Sequence, residues 1–203
     1  MLLDTFLTES EYIDFTHPAV EAKADELFSG LDELEKIRTA YYFVRDEIPH
    51  TLDIFGHIFP AKASGVLAAE TGICHAKANL LAALLRHEKI PCGFCFEKIT
   101  LAEDDRLGHC IHGYNAVFYD GKWMFLDARG NKPGVYAEFS TDAPSLAYPP
   151  REKYGEYIID GIFAFPEPQV MKLLNRTKSI ADLMKHFPDT VSIEPEIKKV
   201  IPF

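Results

Sequence analysis

Apolar residues recur at helical spacing near the N-terminus and at strand spacing in the middle of the chain, and this change of period outlines the fold. From Thr16 to Phe28, Val20, Ala24 and Leu27 mark one helix face, with Thr16 as predicted cap and Pro18 in the first turn, where a missing N–H is harmless. A second helix is predicted after Gly30, capped by Asp32, with Leu34, Ile37, Tyr41, Val44 and Ile48 on one stripe and Pro49 as its stop. Together they predict an N-terminal helical layer.

Thr51 to Glu70 mixes Gly56, Pro60 and Gly65 with scattered apolar residues, a pattern of loop and short helix. Gly72 and Cys74 then lead into HAKANLLAALLRHEKIP, where Ala78, Leu81, Leu84 and Leu85 mark a buried helix ended by Pro91. Three strand-like runs follow: Gly93 to Leu101, Ile111 to Tyr119, and Lys122 to Ala128. Asp120-Gly121 joins the last two as a type I′ hairpin. Beyond Asn131, Gly134, Pro144, Pro149 and Pro150 mark a loop-rich stretch, before two short helices predicted at Glu167 to Leu174 and Ile180 to His186. No internal repeat, low-complexity tract or linker divides the 203 residues, so the chain reads as a single domain over 1–203.

Composition narrows the function classes. An apolar share of 47% with 26% charged residues is that of a folding chain, not a disordered one. A net charge of -10 and no basic run argue against general binding to nucleic acid or anionic lipid, which takes clustered Lys and Arg. The start MLLDTFLTESEY lacks the basic and apolar regions of a signal peptide, and no window approaches the roughly 18 apolar residues of a membrane helix. The chain is therefore read as cytoplasmic. Its four cysteines are too few and too unevenly placed for a disulfide scaffold, so reduced thiols are expected.

Cys74 falls at a predicted helix start, where unpaired N–H groups and the positive dipole end favour a thiolate and can hold an oxyanion. The hairpin supplies a geometric test for its partners. A two-residue Asp120-Gly121 turn pairs Tyr119 with Lys122, which sets the register of the whole ribbon. His112 and Asp127 fall one diagonal step off that register on one face, with Cβ atoms about 7–8 Å apart, close enough for imidazole and carboxylate to meet. Asp127 can then hold one ring nitrogen while the other faces a thiol, the arrangement of covalent acyl transfer.

A rival constellation is Cys92-x-x-Cys95 with Cys110 and His109 or His112, the ligand types of structural zinc. A strand from Gly93 to Leu101 sends Cys92 and Cys95 to opposite faces, whereas a zinc knuckle needs a turn between them. Tyr114, Phe118, Trp123 and Phe125 read as hairpin core rather than as a stacking platform. The acidic runs Glu9 to Glu11 and Glu103 to Asp105 read as solvated surface.

GICHAKANLLAALLRHEKIP and HGYNAVFYDGKWMFLDARGN resemble the Cys, His and Asp blocks of the transglutaminase-like superfamily, above all its small bacterial members. FVRDEIPH and ARGNKPGV are similar to that subgroup as well, so the resemblance covers about 41–139, with 140–203 as a loop-rich and helical extension. It implies a papain-like α+β fold, with the nucleophile helix packed on an antiparallel sheet or barrel, and the order Cys74, His112, Asp127 as nucleophile, base and orienting residue. Tyr114 stands where the subgroup often has Trp, and Cys92 follows the Ile90-Pro91 turn in place of a small apolar residue. No Gln or Trp stands at an obvious offset before Cys74 as second oxyanion donor, which leaves His57 as a candidate.

The resemblance implies a cysteine hydrolase or acyltransferase acting on a protein, peptide or small amide. The acidic single domain without a secretion signal favours hydrolysis over cross-linking, and nothing in the sequence points to a metal, a calcium loop or an organic cofactor. A non-catalytic interaction module on the same fold is the alternative.

Overall fold

The computed structural model describes residues 2–102 and 104–198. Helix α1 spans Pro18–Phe28 and α2 spans Glu33–Tyr42. Asp32 caps α2 as expected, its Oδ1 accepting from the Glu35 N–H at 2.9 Å. Thr16 does not cap α1, because its N–H and hydroxyl both bond to Glu9, at 2.9 and 2.6 Å. His17 takes that place, its Nδ1 accepting from the Ala19 N–H at 3.2 Å. Val20, Ala24 and Phe28 of α1 and Ile37 and Tyr41 of α2 are buried. The α2 stripe continues through a π-helical turn, Phe43–Glu47, which turns Val44 into the core ahead of Pro49.

After the short helix α3, Ala63–Ala69, comes α4, Cys74–His87. Nearly every side chain of α4 is buried, since it lies between the helical layer and the sheet. Its polar side chains therefore act as internal staples. Lys77 Nζ donates to the carbonyls of Arg45, Ile48 and Arg129, which supply the three acceptors an ammonium needs. Arg86 likewise bonds the carbonyls of Thr8, Cys92 and Ala164. These contacts fix the helix that starts with Cys74 against loops on both sides.

The four strands are β1, Cys92–Thr100; β2, His109–Tyr119; β3, Lys122–Leu126; and β4, Tyr157–Phe163. They form an antiparallel sheet in the order β3-β2-β1-β4, open rather than closed into a barrel. Tyr119 pairs with Lys122, as the turn reading requires, and the register holds back to Asn115 and Leu126. Strand β4 lies in the stretch read as loop-rich. Its apolar residues are interrupted by Asp160 and Gly161, and a bulge in its pairing with β1 breaks the alternation a strand shows in sequence. Helices α5, Pro168–Arg176, and α6, Ile180–His186, follow β4.

Each sheet face has its own core. Cys92, Phe94, Phe96, Ile111 and Val117 pack toward the helices, whereas Cys95, Tyr114, Ala116 and Ile162 pack with Phe6 and Leu146 on the other side. Trp123 and Phe125 lie against this second core. Glu9, Glu11 and Asp105 are exposed, and Glu103 lies outside the described residues. No helix among the described residues is long and apolar enough to cross a membrane.

Helix α4 packs closely on β2 at Gly113. A Cβ there would stand 2.7 Å from His75 Nδ1 and 2.9 Å from its Cε1. His75 cannot swing aside, because its ring stacks on Phe96 and its Nε2 bonds the Ile111 carbonyl at 3.0 Å. Gly113→Ala is therefore expected to destabilise the protein by about 1–3 kcal/mol, read as a lower urea midpoint. A midpoint equal to wild type would show that the helix start has room to shift.

Candidate active site

Cys74 is the first residue of α4, after an extended Ile73. Gly72 does not have the positive φ of a tight turn; instead, a Cβ there would come within 3.3 Å of Ala76 Cβ, so the glycine serves close packing. Gly72 also pairs with His50 in a short parallel bridge, which ties the 50–56 loop to the helix start. The first N–H groups of α4, which begins at the partly buried Cys74, have no intrahelical partner. Burial pushes the Cys74 pKa up. The His112 charge and hydrogen bond, with the Gly113 N–H, outweigh that and leave it lowered.

His112 Nε2 bonds Asp127 Oδ2 at 2.9 Å, and both side chains are almost fully buried, at 2% and 1% residue exposure. The ring's Nδ1 is thereby left for Cys74. Asp127 also accepts the Ala147 N–H on Oδ2 at 2.8 Å and the Arg129 N–H on Oδ1 at 3.1 Å. Burial opposes its charge, but His112 and these N–H groups hold its pKa below the usual carboxylate value. Burial similarly pushes His112 down, while Asp127 and Cys74 more than reverse it, so the imidazolium is favoured. Tyr148 packs edge-on against the ring at 5.1 Å. The fold thus joins sulfur, imidazole and carboxylate in a line, with the partners the hairpin register predicts.

Two further side chains come to this place without having been singled out in the sequence. His50 borders the same cavity as Cys74, and its Nδ1 accepts the Leu52 N–H at 3.3 Å, so the neutral ring carries its proton on Nε2. Burial and the Arg129 and Lys77 charges hold the His50 pKa well below its ordinary value. Glu97 of β1 stands directly opposite His112 across the sheet. Its signal in the sequence is an acidic residue inside an otherwise strand-like run. His57, the sequence candidate for an oxyanion donor, is exposed and does not line the cavity.

The cavity beside Cys74 measures about 670 Å³. One wall is apolar, with Leu52, Ile73, Ile99 and Phe187; another carries Arg129 and Lys132, both paired with Asp53. The 133–161 segment supplies Val135, Ala147 and Tyr148, so this loop-rich stretch forms part of the cleft.

Cys92 and Cys95 do lie on opposite sheet faces and do not converge with Cys110, which removes the zinc-knuckle geometry. Burial pushes the Cys92 and Cys110 thiols up to about 12, marking both as inert beside Cys74. Among the described residues, Glu97, His112 and Asp127 form the one group with metal-ligand spacing. Within that group His112 Nε2 and Asp127 Oδ2 are bonded to each other at 2.9 Å.

The transglutaminase-like superfamily model matches residues 21–128, more than half of the chain. No curated protein matches. Among solved structures, the chain is similar to a candidate cysteine protease from Cytophaga hutchinsonii, at 20% identity over 63% of this chain and 42% of that one, with a TM-score of 0.47. It is also similar to a candidate protease from Parabacteroides distasonis, at 19% identity over 61% of this chain and 25% of that one, TM-score 0.41. A TGase is similar at 15% identity over 71% of this chain and 37% of that one, TM-score 0.42. The chain thus spans less than half the length of each of these structures. On the match of the family model over its N-terminal helices, the helix that starts with Cys74, and the hairpin, this chain belongs to the transglutaminase-like superfamily.

Proposed function

We propose that the protein is a cysteine-dependent amide hydrolase, with Cys74 as nucleophile, His112 as proton carrier and Asp127 as the residue that orients it. The observation that carries this reading is the lowered pKa of a thiol at a helix start, facing an imidazole whose far nitrogen is bonded to a buried carboxylate at 2.9 Å. The Cys74 thiolate attacks the carbonyl carbon of an amide, and the oxygen takes the negative charge. The Cys74 backbone N–H and His50 Nε2–H are the donors for that oxygen; a neutral imidazole suits this task because it donates without giving up its proton. His112 then protonates the departing amine, leaving a thioester on Cys74. Water, deprotonated by His112, attacks the thioester and releases the acid and the free thiolate.

The substrate class is a protein, a peptide or a small amide, entering a cavity with an apolar wall and a paired cationic wall. An amine in place of water would give transamidation by the same steps, and product analysis separates the two.

The test is iodoacetamide labelling across about pH 5 to 8 with the label mapped by mass spectrometry. Cys74 is expected to label at the acid end, ahead of Cys92, Cys95 and Cys110, and to lose that preference in His112→Ala. Equal or absent labelling of Cys74 would favour a non-catalytic interaction module.

A further inference from the structure

Glu97 is the one carboxyl group among the described residues that is buried with both oxygens lacking a hydrogen-bond partner. It has no exposure to solvent and sits opposite His112 in the β1–β2 register. One of its oxygens lies within 4.8 Å of both a His112 ring nitrogen and an Asp127 oxygen. A carboxylate in such a place loses its hydration and gains no donor in return, so a buried acid there keeps its proton.

The groups around it point the same way. Cys74 faces it from the start of α4, His112, Cys110 and Tyr114 from β2, Asp127 from beyond β3, and Glu156 from ahead of β4. His112 is the cation of this set, and its charge is already engaged by Cys74 and Asp127. Burial first, then Asp127, Glu156 and Cys74 against the opposing pull of His112, pushes the Glu97 carboxyl up to about 8.

We propose that Glu97, buried beside His112 with both oxygens unpartnered, is a positioning residue for that ring: a neutral acid while Cys74, His112 and Asp127 carry their charges, which holds His112 as imidazolium once it ionises. This rests on the reading of the site as catalytic. At neutral pH the uncharged Glu97 leaves the ring free to hand its proton to the departing amine. When Glu97 releases its own proton to bulk water, a second negative charge stands beside the ring, and the ring keeps its proton to a higher pH than it otherwise would. Base catalysis by neutral His112 is then delayed to more alkaline conditions.

Glu97→Gln, neutral and of the same shape, separates these states. Two titrations are compared with wild type from about pH 4 to 10: the alkylation rate of Cys74, which follows the thiolate, and the nitrogen-15 NMR shifts of the His112 ring, which follow the imidazolium. The thiolate step is expected to stay where it is, because Glu97 is already neutral there. The imidazolium is expected to lose its proton at least about 1 pH unit lower in the variant, the scale for removal of one charge within 4–6 Å. Both steps moving would mean that Glu97 is charged throughout, and neither moving would mean that it only fills space; either result overturns the proposal.

A second measurement needs no variant and covers a Glu97→Gln protein that fails to fold. In wild type with carbon-13 glutamate carboxyls, one glutamate is expected to keep its proton at neutral pH, and full ionisation of all of them would overturn the proposal. Failure of Cys74 to label in acid would instead sink the catalytic reading, and the carboxyl titration would still report on Glu97 by itself.

Discussion

Asp127→Asn is expected to lower the turnover of an amide substrate by about 10³–10⁴, the scale seen when such a carboxylate is replaced by its amide. The carboxylate has three donors to satisfy: His112 on Oδ2 at 2.9 Å, Ala147 on the same oxygen, and Arg129 on Oδ1. An amide offers one acceptor oxygen. If that oxygen serves His112 and Ala147, the NH2 group meets the Arg129 N–H; if it serves Arg129, the NH2 group meets His112 and forces the ring proton onto Nδ1, against the thiol. The lost negative charge also removes a main support of the raised His112 pKa, and with it the thiolate. Both effects act on one step, so kcat/KM should fall and low-pH alkylation of Cys74 should fall with it. A variant within about tenfold of wild type would mean that Asp127 serves the loops and not the chemistry.

His50→Ala tests the proposed oxyanion donor apart from the proposed proton-transfer line. Its expected cost is about 10²–10³ in kcat with KM little changed, since the donor is needed most when the carbonyl oxygen is charged. His50→Gln, which retains an N–H donor, should recover part of the loss. Alkylation of Cys74 in acid should persist in both variants, because His50 is neutral and does not hold the thiolate. Unchanged kcat in His50→Ala would leave the cavity's second donor to be sought elsewhere. The labelling readout also distinguishes a local collapse of the 50–56 loop, since His50 is bridged to Gly72, two residues before Cys74.

Much of this site is legible in the sequence because its parts lie on two elements of local origin. The Asp120-Gly121 turn determines its own register, and that register alone brings His112 and Asp127 to one face. The helix from Cys74 is marked by its apolar residues and by Pro91, and the opposite facing of Cys92 and Cys95 follows from strand period. Where local signals compete the reading slips, as at Thr16, whose hydroxyl is taken by Glu9 rather than by the helix. A strand that carries a bulge, as β4 does, leaves no clean alternation to read.

The sequence by itself determined the elements that carry Cys74, His112 and Asp127 and the pairing within one tight hairpin, since both depend on neighbours a few residues away. Tertiary structure alone decided that Glu97 stands opposite His112, because the segment between β1 and β2 carries no two-residue turn signal from which a register could be read. It alone brought His50 to the cavity beside Cys74, through a bridge between two loops that no periodicity marks. Contacts between distant segments are chosen by how the whole core packs, and a one-dimensional pattern does not contain that choice.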